Sequence, residues 1–237
     1  MHGYPIRRDP WAWTGLAGAA GFLLLAWMVG AKGGLAFDDP VSSFVEGLPI
    51  PAGFWEACTF IGGAILIPIG VLFVLAALVS GRVRLAVIVA VVLIGGVLFT
   101  DVVKDVVARP RPPGQADPLL TFSFPSGHSL NSTVTYGLIA VVAWRGRLSV
   151  AVRRVVVALC VALPILVGLS RIALGVHYPS DVLAGWLGGV AFVALGACLI
   201  RAADAMERDR VPWIAEARAP EPPTREHPTP ELPTPEA

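Results

Sequence analysis

SRIALGVHYPSD, residues 170 to 181, is a polar and charged island between two apolar runs, Val155 to Leu169 and Val182 to Ile200. Runs of this kind approach the roughly 20 apolar residues that a helix needs to cross a hydrocarbon core. Arg171, His177 and Asp181 therefore stand at a membrane boundary, where an ionisable side chain persists only with a partner or a task. Working outward, four more apolar runs precede them: Trp11 to Gly30, Glu56 to Val79, Leu85 to Val103 and Ser129 to Trp144. The pattern predicts an all-α fold, a bundle of six transmembrane helices.

The composition agrees. Of 237 residues, 55% are hydrophobic, and the mean hydropathy is +0.71. That is more apolar surface than a soluble core of this size can bury. The net charge is only +1, and no nucleic-acid partner is expected. Cys58, Cys160 and Cys198 fall inside apolar runs without C-x-x-C spacing, which fits small buried hydrophobes rather than a disulfide or metal site. Pro68 and Pro164 predict kinks, and the pairs Gly62-Gly63, Gly95-Gly96 and Gly188-Gly189 predict close helix contacts.

Residues 1–10 read as a short N-terminal segment ahead of an uncleaved first span, 11–201 as the membrane domain, and 202–237 as a tail. From Ala217 that tail is rich in Pro, Glu and Thr and is expected to be largely disordered. Between the first two spans, Asp39-Pro40 can open a short helix whose Val41, Phe44, Val45 and Leu48 form one apolar stripe, predicted to lie at the interface. Basic residues are unevenly shared between the loops. Arg7, Arg8, Arg82, Arg84, Arg145, Arg147, Arg153, Arg154, Arg201, Arg208 and Arg210 fall on one side; Lys32, Lys104, Arg109, Arg111 and Arg171 fall on the other. The positive-inside rule then predicts two cytoplasmic termini. The opposite, extracytoplasmic face holds Lys104 to His128 and Ser170 to Asp181.

Those two stretches carry the chemistry. In the first, Arg109 and Arg111 flank Pro110 and precede Pro112, so the loop is stiff, and a guanidinium suits a phosphate bidentately. Pro125-Ser126-Gly127-His128 leads into the fourth span: Ser126 can cap that helix, Gly127 lets a ligand approach the backbone, and the free N–H groups favour an anion. In the second stretch, Asp181 sits four residues after His177, where it can accept the imidazole N–H, fix the tautomer and make the other ring nitrogen more nucleophilic. Two histidines and one carboxylate among three obligate cations disfavour a divalent metal and a cation-transport role.

Together the segments K-x6-R-P (Lys104, Arg111, Pro112), P-S-G-H (Pro125 to His128) and S-R-x5-H-x3-D (Ser170, Arg171, His177, Asp181) resemble the three-part signature of the type 2 phosphatidic acid phosphatase (PAP2) family, whose site is similar to that of vanadium haloperoxidases. The resemblance implies a six-helix, metal-independent membrane phosphatase without a cofactor. It makes His177 the nucleophile that forms a phosphohistidine, Asp181 its support, and His128 the general acid. Lys104, Arg111 and Arg171, with Ser126 and the Gly127 backbone, would hold the phosphate, and Arg109 is left as an auxiliary contact. The substrate it implies is a lipid phosphate or diphosphate presented from the bilayer of a bacterial cell membrane. Undecaprenyl diphosphate is the first choice; phosphatidylglycerol phosphate and phosphatidate are alternatives. A lipid phosphotransferase would use the same residues, and a non-catalytic lipid-binding protein would have no use for His177 with Asp181.

Overall fold

The computed structural model describes residues 9–113 and 121–217, with side chains up to residue 207. The first eight residues and the Pro-rich stretch from 218 onward, to which two of the expectations apply, lie outside that range. The described residues form eight helices: α1 (Pro10–Lys32), α2 (Asp38–Glu46), α3 (Ala52–Ile61), α4 (Leu66–Val79), α5 (Val83–Val107), α6 (Gly127–Arg145), α7 (Val150–Ala173) and α8 (Pro179–Ala217). Residues to Ala202 make one compact unit and those from Ala203 a second. The helix thus runs on into the segment expected to be tail, as far as Ala217.

Five segments are long and apolar enough to cross a membrane: Pro10–Lys32, Ala52–Val79, Val83–Val107, Val150–Ala173 and Pro179–Glu207. The expected fourth span, α6, is the exception. It carries His128, Ser129, Asn131, Ser132, Thr133 and Thr135, and its polar groups are turned inward. Ser129, Leu130, Ser132, Val134, Thr135 and Leu138 are all buried, because α6 packs against α4, α5 and α7 and meets α8 through Gly185 and Gly189. A helix surrounded by other helices needs no apolar surface of its own, provided that its polar groups find partners.

The expected second span is broken into α3 and α4 by turns at residues 62–65. The break falls where neighbouring side chains leave room only for glycine. A side-chain carbon at Gly62 would lie 2.1 Å from Val167, and one at Gly63 would lie 3.1 Å from His128 Nε2. The restart also places Pro68 in the first turn of α4, where its missing N–H costs no intrahelical bond. Pro164 stays inside α7, and the carbonyl of Pro164 accepts from Trp186 Nε1 at 3.0 Å.

The connector helix α2 exists, with a different cap and a different buried face. It opens at Asp38, and Phe37 at its N-cap offers no side-chain bond. Of the expected stripe only Val45 is buried, packed with Ile172 and Val182, while Phe44 is 70% exposed. At the same end of the bundle Phe22, Leu25 and Val29 of α1 pack against Phe124 and Ala184. A further core cluster runs between α5 and α6 through Val89, Val92, Leu130, Val134 and Leu138.

Candidate active site

The ends of α5, α7 and α1, and the starts of α2, α6 and α8, come together on one face, and the site is built there from the start of α8 upward. Pro179 opens that helix, as a residue with preset φ and no N–H can. Tyr178 N donates to Asp181 Oδ2 at 3.0 Å, an acid in the first turn reaching back to the cap. Ser180 N donates to Asp38 Oδ1 at 2.8 Å. The helix start is thus held by one carboxylate of its own and one from α2.

Asp181 is fully buried and collects donors on both oxygens. Arg109 Nη1 donates to Oδ1 at 2.6 Å, and the Ser123 hydroxyl donates to Oδ2. His177 Nδ1 lies 3.5 Å from Oδ2 and 3.3 Å from Ser123 Oγ. The expected His177–Asp181 pairing is therefore present, with Ser123 as a third member that the sequence reading missed. On the far side of the ring, Arg111 Nη1 stands 3.2 Å from His177 Nε2. A guanidinium only donates, so Nε2 is the acceptor and the ring proton sits on Nδ1, facing Ser123 and Asp181. Burial pushes the His177 pKa down to about 4, opposed by the hydrogen bond and charge of Asp181. The imidazole is neutral at pH 7, with its lone pair on Nε2.

Arg111 is oriented by three bonds: Nε to the Thr121 carbonyl at 2.7 Å, Nη2 to Thr121 Oγ1 at 2.9 Å and Nη1 to the Val176 carbonyl at 2.8 Å. Lys104 Nζ reaches the same Thr121 hydroxyl at 3.5 Å. Arg171 is buried; its Nη1 donates to Thr59 Oγ1 at 3.2 Å, and its Nε has no partner among the described residues. A buried N–H without an acceptor is costly unless a ligand supplies one. Lys104, Arg111, Arg171 and His177 all lie within electrostatic reach of His128, so the sequence-separated cations and both histidines converge.

Ser126 has a structural role beside the expected one, and the assignment of Arg109 changes. Ser126 is the N-cap of α6, and its hydroxyl oxygen accepts from Ser129 N and Ser129 Oγ, while its own N–H donates to the Asp181 carbonyl at 3.0 Å. It thereby joins the starts of α6 and α8. Gly127 and His128 stand in the first turn of α6, where backbone N–H groups have no intrahelical acceptor and the helix dipole favours an anion. Arg109 is not an auxiliary phosphate contact. It is 4% exposed, gives Nη2 to Asp38 at 2.8 Å, Nη1 to Ser180 and Asp181 and Nε to the Gly33 carbonyl at 3.0 Å, and stacks 3.9 Å from the Tyr178 ring centroid. Asp38, Thr59 and Ser123 were passed over because each is an ordinary polar residue that acquires meaning only through a partner more than fifty positions away.

Residues 85–204 match the model of the PAP2 superfamily. The chain is 39% identical over 98 residues to the phosphatidylglycerophosphatase B of Bacillus subtilis strain 168, a match covering 39% of this chain and 47% of that protein. The similarity thus spans about half the length of that relative. The fold is also similar to the crystal structure of a transmembrane PAP2-type phosphatidylglycerolphosphate phosphatase from Bacillus subtilis, with a TM-score of 0.68 at 24% identity, over 83% of this chain and 97% of that one. With the family model spanning half of the chain, and with five segments long and apolar enough to cross a membrane, this multi-pass membrane protein belongs to the PAP2 superfamily.

Proposed function

We propose that the protein is a lipid phosphatase that works through a phosphohistidine at His177. The observation that carries this reading is the state of the ring: Nδ1–H faces Ser123 and Asp181, and the Nε2 lone pair faces the Arg111 guanidinium at 3.2 Å. That lone pair would attack phosphorus, forming an N–P bond as the P–O bond to the lipid breaks. His128 would give its proton to the departing alkoxide. Water would then attack the phosphohistidine, its proton passing to His128, and inorganic phosphate would leave as the N–P bond breaks. Lys104, Arg111 and Arg171 would offset the charge on the phosphoryl oxygens in both steps, without a metal.

A lipid substrate is supported by what lies below the cations. An apolar cavity of about 370 Å³ between α4, α5 and α6, lined by Leu66, Gly70, Val74 and Leu93, reaches Asn131, one turn along α6 from His128. The names of the relatives favour phosphatidylglycerol phosphate over undecaprenyl diphosphate, so we take it as the substrate to test first. Phosphate release from purified protein in detergent, with EDTA present, should be seen with phosphatidylglycerol phosphate and compared with phosphatidate and undecaprenyl diphosphate. His177→Ala should reduce it at least about a thousandfold. Substantial turnover by pure His177→Ala protein would overturn the nucleophile assignment, and loss of activity in EDTA would overturn the metal-free reading. A phosphorylated second lipid in place of inorganic phosphate would make the enzyme a phosphotransferase.

A further inference from the structure

Asp38, on a connector helix outside the signature, is buried at 3% exposure. Its Oδ2 accepts from Leu35 N at 3.0 Å, Arg109 Nη2 at 2.8 Å and Ser180 Oγ at 2.8 Å, and its Oδ1 accepts from Ser180 N. Arg109 is thereby suspended between two carboxylates, Asp38 and Asp181, with side chains only 3–4% and 0% exposed. We infer that Asp38 is a positioning residue for phosphoryl transfer: through Arg109 it keeps the Asp181 carboxylate both oriented and incompletely neutralised beside His177.

The inference rests on the phosphohistidine reading above. When Nε2 forms its bond to phosphorus, the ring becomes cationic and its Nδ1–H needs a negative neighbour. A buried Arg109–Asp181 pair alone would be neutral, and much of that stabilisation would be spent on the guanidinium. With Asp38 sharing Arg109, the three buried side chains carry one net negative charge, and Asp181 Oδ2 remains available to Ser123, Tyr178 N and His177. The fork of an arginine suits this task, since Nε, Nη1 and Nη2 each meet a different element: the end of α1, the start of α8, and α2. The charged and titratable groups facing His177 are Asp181 from α8, Arg111 from the loop before α6, Arg171 from α7 and His128 from the start of α6.

The test is Asp38→Asn in the full chain, checked for folding by its thermal midpoint and read in two ways. Steady-state kinetics should show kcat reduced about 10- to 100-fold with KM within about twofold, the pattern of an interaction made only in the transition state. Carbon-13 NMR of histidine-labelled protein without substrate should show the His177 titration midpoint at or below its wild-type value, because a nearby negative charge has gone. A merely structural role predicts the opposite: a loosened, hydrated site in which the midpoint climbs toward 6.5 and KM rises with the fall in kcat. Either of those results, or an unchanged kcat, overturns the inference. If Asp38→Asn yields no folded protein, Asp38→Glu decides, since it keeps the charge: the expected result is a wild-type midpoint and kcat within about fivefold, and a midpoint near 6.5 overturns the proposal. Ser180→Ala, which removes a bridging hydroxyl and no charge, should keep kcat within about threefold; a loss as large as that of Asp38→Asn would also count against it. Wild-type turnover and its loss in His177→Ala report separately on the underlying nucleophile assignment.

Discussion

Arg109 and Arg111 are separated by one proline and do opposite work. Arg109 is sealed between Asp38 and Asp181, whereas Arg111 is held by carbonyls and a hydroxyl with its guanidinium toward His177 Nε2. Removing Arg109 strands two buried carboxylates, so Arg109→Ala should cost about 3–5 kcal/mol of stability, seen as a large drop in thermal midpoint. Arg111→Ala should leave that midpoint nearly unchanged and lower kcat about 10²- to 10³-fold. His177 adds a pH signature. Its pKa falls from 6.5 to about 4 on burial, so between those values the unfolded chain binds a proton that the folded ring refuses. The stability associated with this group is intact above pH 6.5 and is lost progressively as pH falls from 6.5 through 4. The thermal midpoint of the wild type should decline over that window, and His177→Gln should flatten the decline. Neither role of the two arginines was legible from R-P-R-P alone: the residue types mark cations in a stiff loop, but which one is buried depends on Asp38, some seventy positions away.

At the scale of elements, the crossing of α6 and α8 joins the two halves of the site. Gly185 lies one turn after Asp181, and a side-chain carbon there would be 2.7 Å from the Ser126 carbonyl, 2.8 Å from Ser129 Cβ and 3.1 Å from Leu130 N. Two of those three neighbours are backbone atoms and cannot swing aside. Gly185→Ala should therefore push the helices apart, costing about 1–3 kcal/mol and lowering kcat by displacing Asp181 and His177 relative to His128. Gly30→Ala, where nothing lies within 4 Å of the added carbon, should be neutral or slightly stabilising; thermal midpoint and phosphate release measured side by side distinguish the two. The sequence reveals such contacts as glycine pairs in apolar runs, and Gly96 and Gly189 do meet neighbouring helices. It conceals the break between α3 and α4, because the hydropathy profile from 52 to 79 is unbroken, and the close approach of Val167 to Gly62 and of His128 to Gly63 is a tertiary contact. It likewise under-reads α6, whose serines and threonines lower its apolarity for the reason that makes it central.

Over the whole molecule, the signature was readable because phosphoryl chemistry demands residue types that a membrane chain otherwise avoids, and the fold brings those types to one end. The opposite end holds Arg82, Arg84, Arg145, Arg147, Arg153 and Arg154 around the α4–α5 and α6–α7 turns, with Arg201 paired to Asp9 at 3.0 Å. On the site face four of the five basic residues, Lys104, Arg109, Arg111 and Arg171, are drawn into the site or its supporting network, leaving Lys32 exposed at the end of α1. Cations that a site has recruited are no guide to topology, so the imbalance between the two faces is greater than a plain count suggests, and the positive-inside rule predicts an extracytoplasmic site. The prediction is tested in a variant with Cys58, Cys160 and Cys198 replaced by alanine and a single cysteine introduced by Lys32→Cys or Ser80→Cys, both exposed positions at opposite ends. A membrane-impermeant maleimide should label the Lys32→Cys protein in intact cells and the Ser80→Cys protein only after lysis. The reverse pattern would place the phosphate site in the cytoplasm, facing substrates of the inner leaflet.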